Sequence, residues 1–100
     1  MSGNIDMKKL RQTIKIVTAD SDVNIRLLKR IGIDTTKDGF FKVRPEERTP
    51  SCKINKDGSF HDFGSGEHYA DIVSLLYDGY KAFDSLPDTM RWLCVELGLK

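Results

Sequence analysis

Cysteine is nearly absent from this chain: Cys52 and Cys94 are its two cysteines, and they stand far apart. A thiolate zinc ribbon takes four ligands in two closely spaced pairs, so that arrangement is excluded. Two buried free thiols are expected in preference to a disulfide, because the chain reads as one that meets a reducing compartment. No apolar run approaches the ~20 residues that a membrane helix needs. The opening MSGNIDMKKL lacks the apolar core of a secretory leader. A cytoplasmic location and no membrane partner are the corresponding expectations. A surplus of one charge is missing as well: 16 Lys and Arg face 15 Asp and Glu, for a net charge of +1. Contact with nucleic acid would therefore depend on a local basic face, since the global field is weak. Repeats and low-complexity tracts are absent, and 100 residues at 39% hydrophobic bury one modest core.

What is present divides into an N-terminal extension, residues 1–19, and a module over residues 20–100. In the extension Leu10, Ile14 and Val17 keep helical spacing, while Ile14-Lys15-Ile16 also alternates as a strand would; helix is preferred. Asp20 or Ser21 then caps a helix that places Val23, Leu27, Leu28 and Ile31 on one side and stops at Gly32. Thr35 to Gly39 is turn chemistry. Phe40 to Arg44 alternates apolar and basic residues, and Ser51–Asn55 and Ser59–Phe63 flank Lys56-Asp57-Gly58, a strong hairpin signal. Between the first two strands, PEERTP forms an exposed connection. A helix is expected after Gly66, with Tyr69, Ile72, Val73 and Leu76 facing the core, ending near Gly79. A last helix is capped by Ser85, with Asp88 three residues on, and carries Leu86, Met90, Leu93 and Leu97 in one stripe before Gly98. The pattern specifies an α+β fold: a small three-stranded antiparallel sheet packed on one face by three to four helices, with the other face open.

The tetrapeptide Asp62-Phe63-Gly64-Ser65 has the spacing of a zinc knuckle without its ligands. The matching first turn would offer Lys42 and Pro45, or Phe41 and Arg44, none of which binds a cation. His61, Asp62, His68 and Cys52 remain as candidates for an improvised site. His61 and Asp62 are strand neighbours, however, so they point to opposite faces. No metal and no other cofactor is expected. Asp62 and Ser65 instead read as hydrogen-bonding caps of the turn and of the helix that follows.

Three segments keep a recognisable order and spacing: Glu46-Glu47-Arg48-Thr49-Pro50-Ser51, then Phe60-His61-Asp62-Phe63-Gly64-Ser65-Gly66, then Asp71-Ile72-Val73-Ser74-Leu75-Leu76. With the closing segment from Phe83 through Trp92 to Leu99, they make residues from about Asp20 to Leu99 resemble the N-terminal zinc-binding domain of bacterial and phage-type DNA primases. The chain departs from that family at every metal position. The resemblance implies a zinc-ribbon-like, metal-free fold tied together by packing of Phe41, Phe60 and Phe63 and by the added N-terminal helix. It also implies a part in DNA replication, on a phage or other mobile element, through engagement of single-stranded template. The family's acidic polymerase motifs have no counterpart here, so the chain is not expected to be an enzyme. A catalytic continuation beyond Lys100 is left open.

A single-strand face combines cations that follow phosphates with rings on which bases stack. Lys42, Arg44, Arg48, Lys53, Lys56 and His61 supply the first. For the second, one of Phe40 or Phe60 is expected; Phe60 and Phe63 point to opposite faces of an unbulged strand, so one of these two is the exposed ring, and the expected site takes Phe60. Arg48-Thr49-Pro50-Ser51 reads as a phosphate cradle, with the Thr49 and Ser51 hydroxyls as donors, or as a rigid loop feeding the second strand. Tyr69, Tyr77, Tyr80 and Trp92 read as packing residues. The expected partner is single-stranded DNA. The alternative is a protein-interaction module that docks on, or inhibits, a primase, helicase or other replication protein.

Overall fold

The computed structural model describes residues 7–42 and 49–99. Helices α1 (Met7–Val17) and α2 (Ser21–Arg30) come first. Four short strands follow, β1 (Phe40–Phe41), β2 (Cys52–Ile54), β3 (Phe60–Asp62) and β4 (His68–Tyr69). Helix α3 (Ile72–Ser74) then runs on into a π-helical turn (Leu75–Gly79), and α4 (Leu86–Leu97) closes the chain. The class is α+β, as expected, with the strands in the order β1-β2-β3-β4 and every pairing antiparallel.

The helical reading of residues 7–17 holds because Ile14 is fully buried and Ile16 is 66% exposed, a split that the helical period permits and a half-buried strand does not. Asp20 caps α2 by accepting the Asp22 amide at 2.8 Å. Ser85 caps α4 by accepting the Asp88 amide at 3.2 Å, and Gly98 closes that helix in the left-handed conformation at φ 72°.

Two sequence expectations need correction here. The sheet has four strands among the described residues, not three, and the helix expected from Gly66 begins only at Ile72. Asp71 is the reason: its carboxylate accepts the Ser74 amide at 2.9 Å and sets the helix start. Glu67 to Ala70 are thereby freed, and His68–Tyr69 pairs with His61 and Phe60.

The core lies between the sheet and the helices. Phe41, Cys52, Ile54, Phe60 and Tyr69 project into it from the strands, meeting Ile14, Leu28, Ile72, Val73, Leu75, Leu76, Met90 and Leu93 from the helices. The Phe41 and Phe60 rings meet edge-on at 5.9 Å, and Tyr80 stacks on Phe41 at 6.2 Å. Helix α1 packs against α3 and α4. Its Arg11 guanidinium donates to the Ser74 hydroxyl at 2.8 Å and lies 3.6 Å from the buried Asp71 carboxylate. On the far side Arg30 of α2 pairs with Glu96 of α4 at 2.7 Å, a partner that raises the guanidinium pKa further.

The hairpin tip locks onto the end of α1. Gly58 has φ 90°, and a Cβ there would meet the Thr18 carbonyl oxygen at 2.4 Å. That same oxygen accepts from Asn24 Nδ2 at 3.0 Å, so one carbonyl joins α1, α2 and the β2–β3 turn.

Candidate functional site

The inward face of the sheet is sealed by helices; the outward face is where this chain concentrates rings and cations. Pairing places Phe40 opposite Lys53, Lys53 opposite His61, and His61 opposite His68. One row of side chains therefore crosses all four strands on the outer face. The Lys53 ammonium stands 5.6 Å from the centre of the Phe40 ring, within cation–π range. Beyond the end of β3, Phe63 continues the outward phase of His61. It lies edge-on to the His61 ring at 4.4 Å, 6.2 Å from Phe40, and is 62% exposed.

Phe63 is held there by the turn that resembles a knuckle. Asp62 is fully buried, and its Oδ1 accepts the Gly64 amide at 2.9 Å and the Ser51 hydroxyl at 3.2 Å, while Oδ2 accepts the Ser65 hydroxyl at 3.0 Å. Backbone bonds from Gly66 to the Asp62 carbonyl (2.7 Å), from Asp62 to Glu67 (2.8 Å) and from Phe63 to Ser51 (2.9 Å) complete the turn. A buried carboxylate accepting several donors organises the loop. The turn-capping role read for Asp62 and Ser65 is present, but the helix-capping role belongs to Asp71. Among the described residues no group of three or more His, Cys, Asp and Glu is placed to hold a metal ion.

At the hairpin tip the Ser59 hydroxyl and amide donate to Asp57 at 2.6 and 2.9 Å and hold its carboxyl below the usual range, with a smaller contribution from His68. At the other edge Tyr69 donates to Glu67 at 3.1 Å, and burial, then this bond, pushes its pKa up to about 12. Cys52 is buried and Cys94 half-buried; neither is in a disulfide among the described residues, and burial raises the Cys94 thiol pKa.

Of the residues expected from sequence, Lys53 and His61 are brought together in the outer row. Lys42 is exposed just past β1, its carbonyl accepting from the Tyr80 hydroxyl. Lys56 is exposed in the hairpin turn and Thr49 in the connection before β2. Arg44 and Arg48 lie outside the described residues. One assignment is corrected. Phe60 is fully buried under the helices and has no face to offer a base. The Ser51 hydroxyl donates to Asp62 and so takes part in the turn. Phe40, the alternative to Phe60, is the ring on this face, Phe63 is the exposed one of the Phe60 and Phe63 pair, and His68 was not expected here. The signal for Phe63 was strand alternation itself, since residues 61 and 63 share a face; for His68 it was the Asp71-x-x-Ser74 cap, which leaves room for a fourth strand.

A second surface feature lies among the helices. A groove of about 740 Å³ runs between α1, α2 and α4, lined by Val17, Val23, Leu27 and Leu97 together with Arg26, Arg30 and Glu96, and by the 70% exposed Val95. Comparison with protein-family models, with curated proteins and with solved structures gives no match for this chain.

Proposed function

We propose that this chain is a non-catalytic single-stranded DNA binding module, related to the template-engaging domain of primases but built without zinc. The observation that carries the reading is the outer row Phe40–Lys53–His61 with Phe63 beside it: two exposed or half-exposed rings, an imidazole and an ammonium on one rigid sheet face. Rings of this kind receive bases at ~1–3 kcal/mol per stacked base, and the ammonium follows the phosphates. Lys42, Lys56 and Thr49 are exposed near the ends of the same strands and extend the phosphate track. Phosphates and stacked rings carry little base identity, so sequence preference is weak. A metal-free ribbon-like fold is part of the proposal, with the Asp62 hydrogen bonds in place of a metal tie.

The test is salt dependence. Affinity for a labelled oligonucleotide should fall linearly on a log–log plot against salt. Lys53→Ala should lower that slope by about 0.7, the single-strand value for one phosphate contact. Lys29→Ala, an exposed lysine on α2, should leave it unchanged. A slope identical in Lys53→Ala and wild type would count against the reading. The groove beside Val95 favours a second reading, docking on a replication protein such as a primase or helicase through the apolar walls and the Arg26, Arg30 and Glu96 side chains among them.

A further inference from the structure

The chain contains two histidines, and the fold sets them directly opposite each other on β3 and β4. The adjoining pair is joined by the Asp62 amide donating to the Glu67 carbonyl at 2.8 Å, which makes His61–His68 a non-hydrogen-bonded pair. That is the position in an antiparallel ladder where facing side chains come closest. Their ring centres lie 6.3 Å apart and the rings are tilted by 47°. Two imidazoles on one ion, with metal–nitrogen distances of about 2.0–2.1 Å and about 1.1 Å more to each ring centre, stand roughly 5–6 Å apart. A small rotation of the exposed His68 ring closes the difference. Neither imidazole has a hydrogen-bond partner among the described residues, so their nitrogens are open to a ligand. Lys53 faces His61 from the other side and is drawn over Phe40.

From this register we infer that His61 and His68 form a two-imidazole chelate for a divalent transition-metal ion of the nickel, copper or zinc type, its remaining positions filled by water. Imidazole suits these ions, and two ligands from adjacent strands bind without any need to reorganise the backbone. The site lies on the outer face, whereas the Asp62 turn is buried on the inner one; the inference rests on pairing and exposure and is independent of DNA binding.

Titration calorimetry of the tag-free chain with Ni²⁺ at pH 7.5 tests it. One ion per chain is expected. His61→Gln and His68→Gln should each weaken binding at least tenfold, with far-UV circular dichroism unchanged because both positions are on the open face. Cys94→Ser should bind as wild type does. Lowering the pH to 5.5 should weaken binding, since a protonated imidazole has no lone pair to give. Binding as tight in either glutamine variant as in wild type would overturn the inference, and so would half an ion per chain, which would mean one ion bridging two molecules.

Discussion

The two faces of the sheet are built from the same strands, and neighbouring residues on them have opposite tasks. Phe60 is sealed against Phe41 and the helices, while His61, one residue on, stands half-exposed between Lys53 and His68. Asp62 is buried and fully engaged, while Phe63 projects outward at 62% exposure. The difference teaches that the inner face holds the buried core of the domain, while the outer face presents exposed and half-exposed side chains. Side chains on the outer face are therefore free to be chosen for contact with something else.

If that division is right, truncation on the inner face has the largest effect. Phe60→Ala should cost about 3–5 kcal/mol in urea unfolding, the range for removing a buried aromatic ring. Gly58→Ala comes next. The residue sits at φ 90° with the Thr18 carbonyl 2.4 Å from where the new Cβ would fall. Strain alone at such a position costs about 1–3 kcal/mol, and the displaced contact between the hairpin and α1 adds to it. Asp62→Ala should cost about 1–3 kcal/mol by leaving the Gly64, Ser51 and Ser65 donors without their acceptor. Its thermal transition should fall accordingly. A smaller effect is expected from pH. Tyr69 is held to about 12, above the ordinary tyrosine value, so the unfolded chain loses this proton first as pH rises. Its stabilising contribution is complete below pH ~10 and is lost between about 10 and 12. Tyr69→Phe should flatten the stability curve in that window, which denaturant melts across the range would read.

The helices and the hairpin were legible in the sequence because caps and turns are local: Asp20, Ser85, Gly98 and Lys56-Asp57-Gly58 each act over three or four residues. The outer face was half legible for a related reason. Alternation puts residues 60 and 63 on opposite faces but does not say which face the helices cover; that depends on the partners of Phe41, Cys52 and Ile54 across the core. The expected site accordingly takes Phe60 where the structure exposes Phe63. The strand at His68 is not legible because the run from Gly66 to Leu76 holds a two-residue strand, a cap and a helix, too short for periodicity to separate. The bond from Ser51 to Asp62 is not legible because the two stand 11 residues apart across a strand pairing.

The central claim, that the outer face receives single-stranded DNA, is tested most directly by anisotropy of a labelled oligonucleotide at low salt with two apolar truncations compared. Phe63→Ala removes the exposed ring of the outer face; Val95→Ala removes a similarly exposed apolar side chain from the groove among the helices. Both variants should keep their stability within about 1 kcal/mol. Phe63→Ala should weaken binding by about 1–3 kcal/mol, roughly five- to 150-fold, while Val95→Ala binds as wild type does. Absence of binding by the wild-type chain, or equal affinity of the two variants, would contradict the account and turn attention to the groove.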